Sequence, residues 1–172
     1  IPANGEIRPG DRINIIGAAG PMGTMHVIRD ICQGVARVSV YGGDMNEERL
    51  AMLERLAGPL ARERGVPFQT YNAKTSPPDG LFNYTALMVP VPALVAASVK
   101  TAAEHGVINI FAGIPASVSH PLDLDTYLAR QLYFIGTSGS VIEDMRIVLA
   151  KVESRRLDTN LSVAAISGLD GA

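Results

Sequence analysis

The chain has 172 residues, a formal net charge of −2, and 47% hydrophobic against 19% charged residues. This length fits one ordinary domain with its own core, and the small net charge gives no electrostatic reason to expect nucleic acid or an anionic membrane as a partner. Cys32 is the one cysteine beside three scattered histidines, which excludes an internal disulfide and leaves almost no material for a Cys/His zinc site.

The composition favours a reducing cytoplasm, and no uninterrupted apolar run approaches the roughly 18 residues of a membrane helix. The chain starts at Ile1 rather than at a methionine, and its N-terminal stretch has neither the basic nor the apolar region of a signal peptide. We therefore expect residues 1–172 to be a single domain that was excised from a longer protein or left by processing.

Apolar runs alternate with segments of helical period, which predicts a parallel sheet with crossover helices. The first strand is predicted over residues 12–18, and the helix after it is predicted to end at Gly34. A second predicted strand covers residues 36–41. One face of the first helix is predicted to carry Met22, Met25, Ile28 and Cys32.

The second helix is predicted over residues 45–65, with a kink or interruption at Gly58 and Pro59. Its inward residues are predicted to be Leu50, Leu53, Ala57 and Leu60. A short third strand follows at residues 67–73. The next segment, residues 74–83, holds two prolines and a glycine and predicts a loop where such folds often place a helix.

Three more strands are predicted over residues 84–92, 107–113 and 132–136. The first two are separated by a helix that ends at His105 and Gly106, and the last two by a short helix over residues 126–130. The last helix is predicted to open with Ser140 and Glu143 in capping-box spacing and to bury Val141, Met145, Val148 and Val152. The predicted fold class is α/β, a Rossmann-type doubly wound parallel sheet of six strands with helices on both faces.

Three glycines, Gly17, Gly20 and Gly23, link the first strand to the first helix. In a dinucleotide-binding turn the first glycine makes the turn, the second lets a pyrophosphate approach the backbone, and the third lets the helix pack on the sheet. Pro21 suits the first helical turn, where N–H groups point out towards an anion. The alternative is a turn that binds nothing, and the position between strand and helix favours binding.

Asp44 lies near the distance at which such a site places an acidic residue for the adenosine ribose. Gly42 and Gly43 are predicted to put it two residues beyond the strand end, so Asp44 is alternatively the N-cap of the second helix. No cluster of Lys or Arg follows, and Arg49 is the nearest base, which favours NAD over NADP.

The order of these motifs gives a family resemblance. With "GAAGPMG", "DMNEERL", "VPVPALVAASVKTAAEHGVINIFAGIP" and "LYFIGTSGS", the chain resembles the nucleotide-binding domain of the medium-chain, zinc-type alcohol dehydrogenases, over some nine-tenths of its length. Within that family it resembles the branch of sorbitol dehydrogenase and sorbose-phosphate reductase. The resemblance implies a hydride transfer between a nicotinamide cofactor and a polyol, sugar or sugar phosphate.

The resemblance also implies roles for individual residues. Pyrophosphate contacts are implied at Gly20, Pro21 and Met22, and ribose contacts at Asp44 and Arg49. Positions beside the nicotinamide and its ribose are implied for Val89, Val91, Ala112, Gly113, Ile114, Thr137 and Ser138. Family members hold their catalytic zinc in a separate domain whose Cys, His and Glu motifs this chain lacks, so we nominate no catalytic residue and no metal ligand in it.

Two other functions remain open from the sequence. The glycine turn and acidic strand end also occur in S-adenosylmethionine-dependent methyltransferases, although the last third of the chain suits nicotinamide binding better. A nucleotide sensor without chemistry is the third alternative, because the chain offers no catalytic group of its own. His26, close to the glycine turn, is more typical of a helix surface.

From the family resemblance we also expect a homodimer or larger assembly formed through the sheet edge near residues 132–136.

Overall fold

A computed structural model describes residues 7–136, 139–163 and 166–168. One parallel sheet of six strands, in the order β3-β2-β1-β4-β5-β6, confirms the predicted Rossmann-type fold class. The strands are β1 (Arg12–Ile16), β2 (Ser39–Asp44), β3 (Phe68–Asn72), β4 (Phe82–Leu87), β5 (Ala102–Ile110) and β6 (Tyr133–Gly136). The helices are α1 (Pro21–Ile31), α2 (Glu47–Arg64), α3 (Pro92–Thr101), α4 (Leu124–Ala129) and α5 (Ile142–Glu153), and a 3-10 turn (Thr159–Ser162) follows them.

The two faces of the sheet are buried by different helices because successive side chains of a strand point to opposite faces. Ile13 and Ile15 are fully buried in the core that α1 and α2 cover. Leu87 and Ile108 are fully buried in a second core, on which Val99 of α3 packs. A parallel sheet covered on both faces needs such continuous apolar strands, as the sequence predicted.

The strand order changes direction between β1 and β4. The chain runs outward from β1 to β3 through α1 and α2, then returns to β4 beside β1 and runs the other way to β6. In open α/β sheets, ligands bind where the order reverses, in the crevice outside the carboxyl ends of the strands. The fold therefore places a crevice beyond Ile16 and Leu87, which are register partners in β1 and β4.

No helix lies between β3 and β4 in this described part of the chain, as predicted, although Phe82 and Asn83 belong to β4 rather than to the loop. The Arg12 guanidinium lies over the rings of Tyr41 and Phe82, 4.8 and 5.1 Å from their centroids. Its Nη2 atom also donates to the carbonyl of Asp79 at 2.6 Å. The Arg12 side chain thus joins β1 to the loop before β4 and to aromatic rings of β2 and β4.

Two predictions about helices are wrong. The second helix, α2, is not interrupted at Gly58 and Pro59: it runs from Glu47 to Arg64, and exposed Pro59 only removes one backbone hydrogen bond. The third helix ends at Thr101 instead of at His105, which adopts a left-handed backbone with φ of 57°. The His105 N–H donates to the carbonyl of Arg130, and the Arg130 guanidinium binds the carbonyl of Ala102 at 2.6 Å. These long-range bonds draw residues 102–106 into the irregular start of β5.

The predicted inner face of α1 is partly wrong. Val27 and Ile31 face the sheet and are at most 1% exposed, whereas Met22 and Met25 lie on the outer side of the helix. Cys32 is buried as predicted, in a smaller apolar cluster with Ile28 and Leu157.

The predicted packing of α5 is mostly wrong. None of its residues is fully buried, and Met145 and Val148 are 59% and 43% exposed. Val152 alone of the residues predicted to be inward is partly buried, against the small cluster of Ile28, Cys32 and Leu157. The predicted Ser140–Glu143 capping box is replaced by Asp144, whose carboxylate accepts from the Val141 N–H at 2.9 Å. Among the residues that the structure describes, no helix is both long and apolar enough to span a membrane.

Candidate functional site

The glycine turn lies at the carboxyl end of β1, in the crevice beside β4. Gly17 has a φ of +81°, a backbone conformation that favours glycine. Its N–H donates to the carbonyl of Gly43 at 2.8 Å, and the Ala18 N–H donates to the same oxygen. A β-carbon on Gly17 would lie 2.6 Å from Cγ1 of Val89, so the turn and the segment after β4 are in direct contact.

The start of α1 packs on this turn. A β-carbon on Gly23 would collide with the carbonyl of Gly17 and lie 2.6 Å from Cα of Ala18, so only glycine permits this approach. Gly20 is the N-cap residue and has no atom beyond its chain neighbours closer than 3.7 Å to its ideal β-carbon position. The structure thus bears out the turn at Gly17 and the close helix packing at Gly23, while the approach of a pyrophosphate to Gly20 stays a prediction.

The N-terminal end of α1 has N–H groups available for an anion. Pro21 is the first helical residue, and the first turn is closed by the Thr24 N–H, which donates to the Gly20 carbonyl at 2.8 Å. The N–H groups of Met22 and Gly23 precede that bond and point out of the helix end. No side chain in the described ranges caps this end, and its first turn carries no acidic residue. The positive end of the helix dipole thus has no capping side chain on its first N–H groups.

Asp44 is the last residue of β2, so the prediction that it lies two residues past the strand end is wrong. Gly42 and Gly43 are buried strand residues that pair with Ile15 and Ile16, and Tyr71 occupies the space that a β-carbon on Gly43 would need. The Asp44 carboxylate accepts from the N–H of Ala19 at 3.2 Å and from that of Met45 at 2.7 Å. The acidic group is therefore held beside the glycine turn.

Asp44 is also not the N-cap of α2. Asn46 has that role, and its side chain accepts from the Arg49 N–H at 3.0 Å. The Arg49 side chain lines a pocket of about 260 Å³ that adjoins Gly20 and Pro21 between α1 and α2. Leu161, Ser162 and Val163 form another wall of this pocket, which places the 3-10 turn near the start of α1. Sequence reasoning missed this wall because nothing local in those residues signals a contact more than a hundred residues away.

The remaining predicted site residues lie at the carboxyl ends of β4 and β5. Half-buried Val89 contacts the glycine turn, whereas Val91 is exposed and precedes α3 as its N-cap. Ala112 follows β5, and its N–H donates to the Leu87 carbonyl at 3.1 Å, which fixes the exit of the strand beside β4. The other predicted residues of this region are Gly113 and Ile114, which lie in the same loop, and Thr137 and Ser138, which lie outside the described residues.

Polar side chains between α1 and the sheet form a group that the sequence did not single out. Asp30 is fully buried, and burial raises the pKa of its carboxyl although Arg29 at 2.7 Å opposes the rise. Asn109 donates to the hydroxyl of Tyr84 at 2.9 Å, and burial raises the pKa of that phenol. Across the described ranges, no group of three or more His, Cys, Asp or Glu side chains is arranged to hold a metal ion.

Comparison with known proteins gives no match to a family model. A curated relative, the uncharacterized protein YggP of Escherichia coli K12, is 29% identical over 181 aligned positions, which cover 95% of this chain and 41% of the relative. The chain thus spans about two fifths of the length of that relative.

Solved structures share the fold at low sequence identity. A short chain alcohol dehydrogenase from Escherichia coli CFT073, complexed with the cofactor NADH, superposes with a TM-score of 0.70 at 17% identity, over 90% of this chain and 44% of that one. The alcohol dehydrogenase TADH from Thermus sp. ATN1 gives a TM-score of 0.69 at 24% identity, with the same coverage. These similarities establish that the chain has the fold of one part of these dehydrogenases.

Proposed function

We propose that the chain is the nicotinamide-dinucleotide-binding domain of a longer oxidoreductase of the alcohol dehydrogenase type. The observation that carries the proposal is the glycine turn at the point where the strand order reverses, with Asp44 hydrogen-bonded to it and Val89 against it. The dehydrogenase that contains NADH shares this fold over 90% of the chain, which adds support.

The residues present fit such a cofactor. The uncapped end of α1, with the N–H groups of Met22 and Gly23, suits a diphosphate, and the open space at Gly20 would let it approach the backbone. The Asp44 carboxylate suits two ribose hydroxyls and disfavours a 2′-phosphate through charge repulsion, so we propose NAD rather than NADP. Arg49 lies close enough to contribute at the same end, through the pocket that it shares with Gly20.

The nicotinamide end would lie across β4 and β5. Val89 and Val91 would contact the ribose, and the backbone of Ala112, Gly113 and Ile114 would bind the carboxamide; we propose the same role for Thr137 and Ser138. A bound nicotinamide supplies the hydride chemistry, and the domain supplies binding and orientation. The family resemblance supports a polyol, sugar or sugar phosphate as substrate, with a catalytic zinc in another domain.

The same resemblance supports two proposals about the complete protein. The first is a homodimer or larger assembly through the edge strand β6, which pairs with β5 on one side only in the described part of the sheet. The second is a cytoplasmic location, which suits a chain whose lone cysteine is buried.

A titration with NADH, NADPH and S-adenosylmethionine tests the proposed function. We expect NADH to bind with enhanced and blue-shifted nicotinamide fluorescence, NADPH to bind more weakly, and S-adenosylmethionine not to compete. Tighter binding of the methyl donor would instead favour a methyltransferase, and binding of none of the three would contradict the proposal.

Asp44→Asn is the matched variant, because it keeps the side-chain size and removes the charge. We expect it to weaken NADH binding about tenfold and NADPH binding less, since it loses a charged acceptor for the ribose hydroxyls and a repulsive charge near the 2′-phosphate. Asp125→Asn, on exposed α4, is the control and should leave both affinities unchanged. An unchanged preference between the two cofactors in Asp44→Asn would remove the ribose role of Asp44.

A further inference from the structure

Helix α1 contacts the loop after β5 as well as the glycine turn. One turn after its first residues, the ring of His26 meets the ring of Phe111 edge-on, with 5.1 Å between their centroids. The Nδ1 atom of His26 is 2.9 Å from the carbonyl oxygen of Met22, which fixes the imidazole against its own helix. Phe111 immediately precedes Ala112, so this ring contact lies at the start of the loop proposed to bind the carboxamide.

One turn further along α1, Asp30 faces the same part of the sheet. Its side chain is 0% exposed, one oxygen accepts from Arg29 at 2.7 Å, and the other oxygen has no hydrogen-bond partner among the described residues. A buried and half-satisfied carboxylate is costly in a position that an apolar residue could fill. The charged or titratable groups that act on it are Arg29 and His26 of α1 and Lys151 of α5, while Tyr84 of β4 is influenced by its charge.

Tyr84 of β4, on which the Asp30 charge acts, is hydrogen-bonded to Asn109 of β5. Both side chains are less than 10% exposed, and the Asn109 amide donates to the Tyr84 hydroxyl at 2.9 Å. The pKa of Tyr84 is raised by burial, and the Asp30 charge adds to the rise, so the phenol keeps its proton and lies within electrostatic reach of the carboxylate. The hydrogen bond therefore joins β4 to β5 two residues before Phe111, and the Asp30 carboxylate of α1 acts on its phenol through charge.

We propose that Asp30 and His26 are positioning residues: through the Tyr84–Asn109 pair and through Phe111, they fix the distance between the phosphate end of the cofactor groove and its nicotinamide end. The proposal rests on the proposed function. The phosphate end is formed by the first residues of α1, and the nicotinamide end by the loop after β5. The ring contact between His26 and Phe111 holds these ends in register, and the Asp30 charge acts on the Tyr84 hydroxyl that Asn109 binds, so the groove is already shaped for a ligand that occupies both ends.

The affinities for two ligands, one of which lacks the nicotinamide, distinguish a positioning role from a general effect on protein stability. ADP-ribose has the adenosine and the diphosphate but no nicotinamide, whereas NADH has all three. In Asp30→Asn we expect the Kd of NADH to rise about three- to tenfold, the range of one or two lost polar contacts, and the Kd of ADP-ribose to stay within about twofold. His26→Ala, at a half-buried position that does not threaten the fold, should change the two affinities in the same unequal way.

Ile28→Val is the matched control. Ile28 is a buried residue of α1 that packs towards Leu157 and not towards β5, so its truncation should lower stability and leave the ratio of the two affinities unchanged. An unchanged ratio in both Asp30→Asn and His26→Ala, or an equal loss for both ligands, would overturn the positioning role. If the unaltered protein binds ADP-ribose and NADH equally well, the role is also overturned, although the dinucleotide fold would still bind nucleotide. If it binds neither ligand, the proposed function itself fails.

Discussion

Helices α1 and α5 have similar patterns of apolar residues, but α1 packs against the sheet whereas α5 is largely exposed to solvent. Both carry apolar residues at three- and four-residue spacing, yet Ile31 of α1 is 1% exposed whereas Ile142 and Met145 of α5 are 68% and 59% exposed. The strands before and after α1 are neighbours in the sheet, which presses one face of the helix onto it. In contrast, α5 follows the edge strand β6, and no later strand of the described chain joins the sheet. Periodicity thus predicts an amphipathic helix, and the strands around it decide what it buries.

The largest expected difference between the two helices comes from truncating one apolar side chain in each. Ile31→Ala should lower the free energy of unfolding by about 2–5 kcal/mol, because it leaves a cavity in a closed core. Met145→Ala should change it by no more than about 0.5 kcal/mol, because that side chain is already mostly in water. Urea unfolding of both variants measures the difference. A cost for Met145→Ala close to that of Ile31→Ala would mean that α5 is packed in solution.

A smaller effect tests how closely α1 approaches the glycine turn, a constraint that α5 does not have. Gly23→Ala should cost about 1–3 kcal/mol of unfolding free energy, because the added methyl collides with the backbone of Gly17 and Ala18. Gly113→Ala is the control, since its β-carbon would meet no atom within 4 Å and its φ is not in the left-handed region. Denaturant midpoints of the two variants should therefore differ clearly, and equal midpoints would contradict the close approach.

The smallest effect is a pH dependence that the buried charge of α1 contributes. Burial raises the pKa of Asp30 above its ordinary value of 3.8, so the folded protein holds this proton over a pH range in which the unfolded chain has lost it. The contribution of Asp30 to stability is therefore greatest at low pH and declines as pH rises through its folded pKa, by at most about 1.4 kcal/mol per pH unit.

Asp30→Asn isolates this contribution, because the amide does not titrate. The difference in unfolding free energy between the variant and the unaltered protein should grow in favour of the variant as pH rises, when both are unfolded in urea across a pH series. A difference that stays constant with pH would show that the folded pKa of Asp30 is not raised.

Much of the fold followed from local patterns. All six strands, the order of helices between them and the loop in place of a helix before β4 were predicted from the spacing of apolar residues and from glycine and proline positions. The errors occur where distant residues intervene: Arg130 binds the Ala102 carbonyl just beyond the end of α3, and the pairing of β2 with β1 extends the strand to Asp44. A local pattern contains no information on such partners.

The candidate site likewise has one part that local sequence patterns predicted and another that depends on contacts between distant residues. Gly17, Gly20 and Gly23 were proposed from their spacing and position, and the structure gives Gly17 and Gly23 distinct steric roles. Asp44 was proposed as a ribose contact or a helix cap; the structure excludes the cap, because Asn46 caps α2, and the ribose contact stays a prediction. The wall that residues 161–163 form beside Gly20 could not be recognised, since it depends on the chain returning across α1 and α2.

The sequence by itself determined which segments become strands, where the chain turns and which end of α1 can receive an anion, because backbone sterics and side-chain alternation act within a few residues. Only the tertiary structure decided that Val89 meets Gly17, that Asp30 is buried beside the Tyr84–Asn109 pair and that the apolar face of α5 is exposed. Those features depend on strand register and on which helix covers which face, and both are set by contacts between residues far apart in the chain.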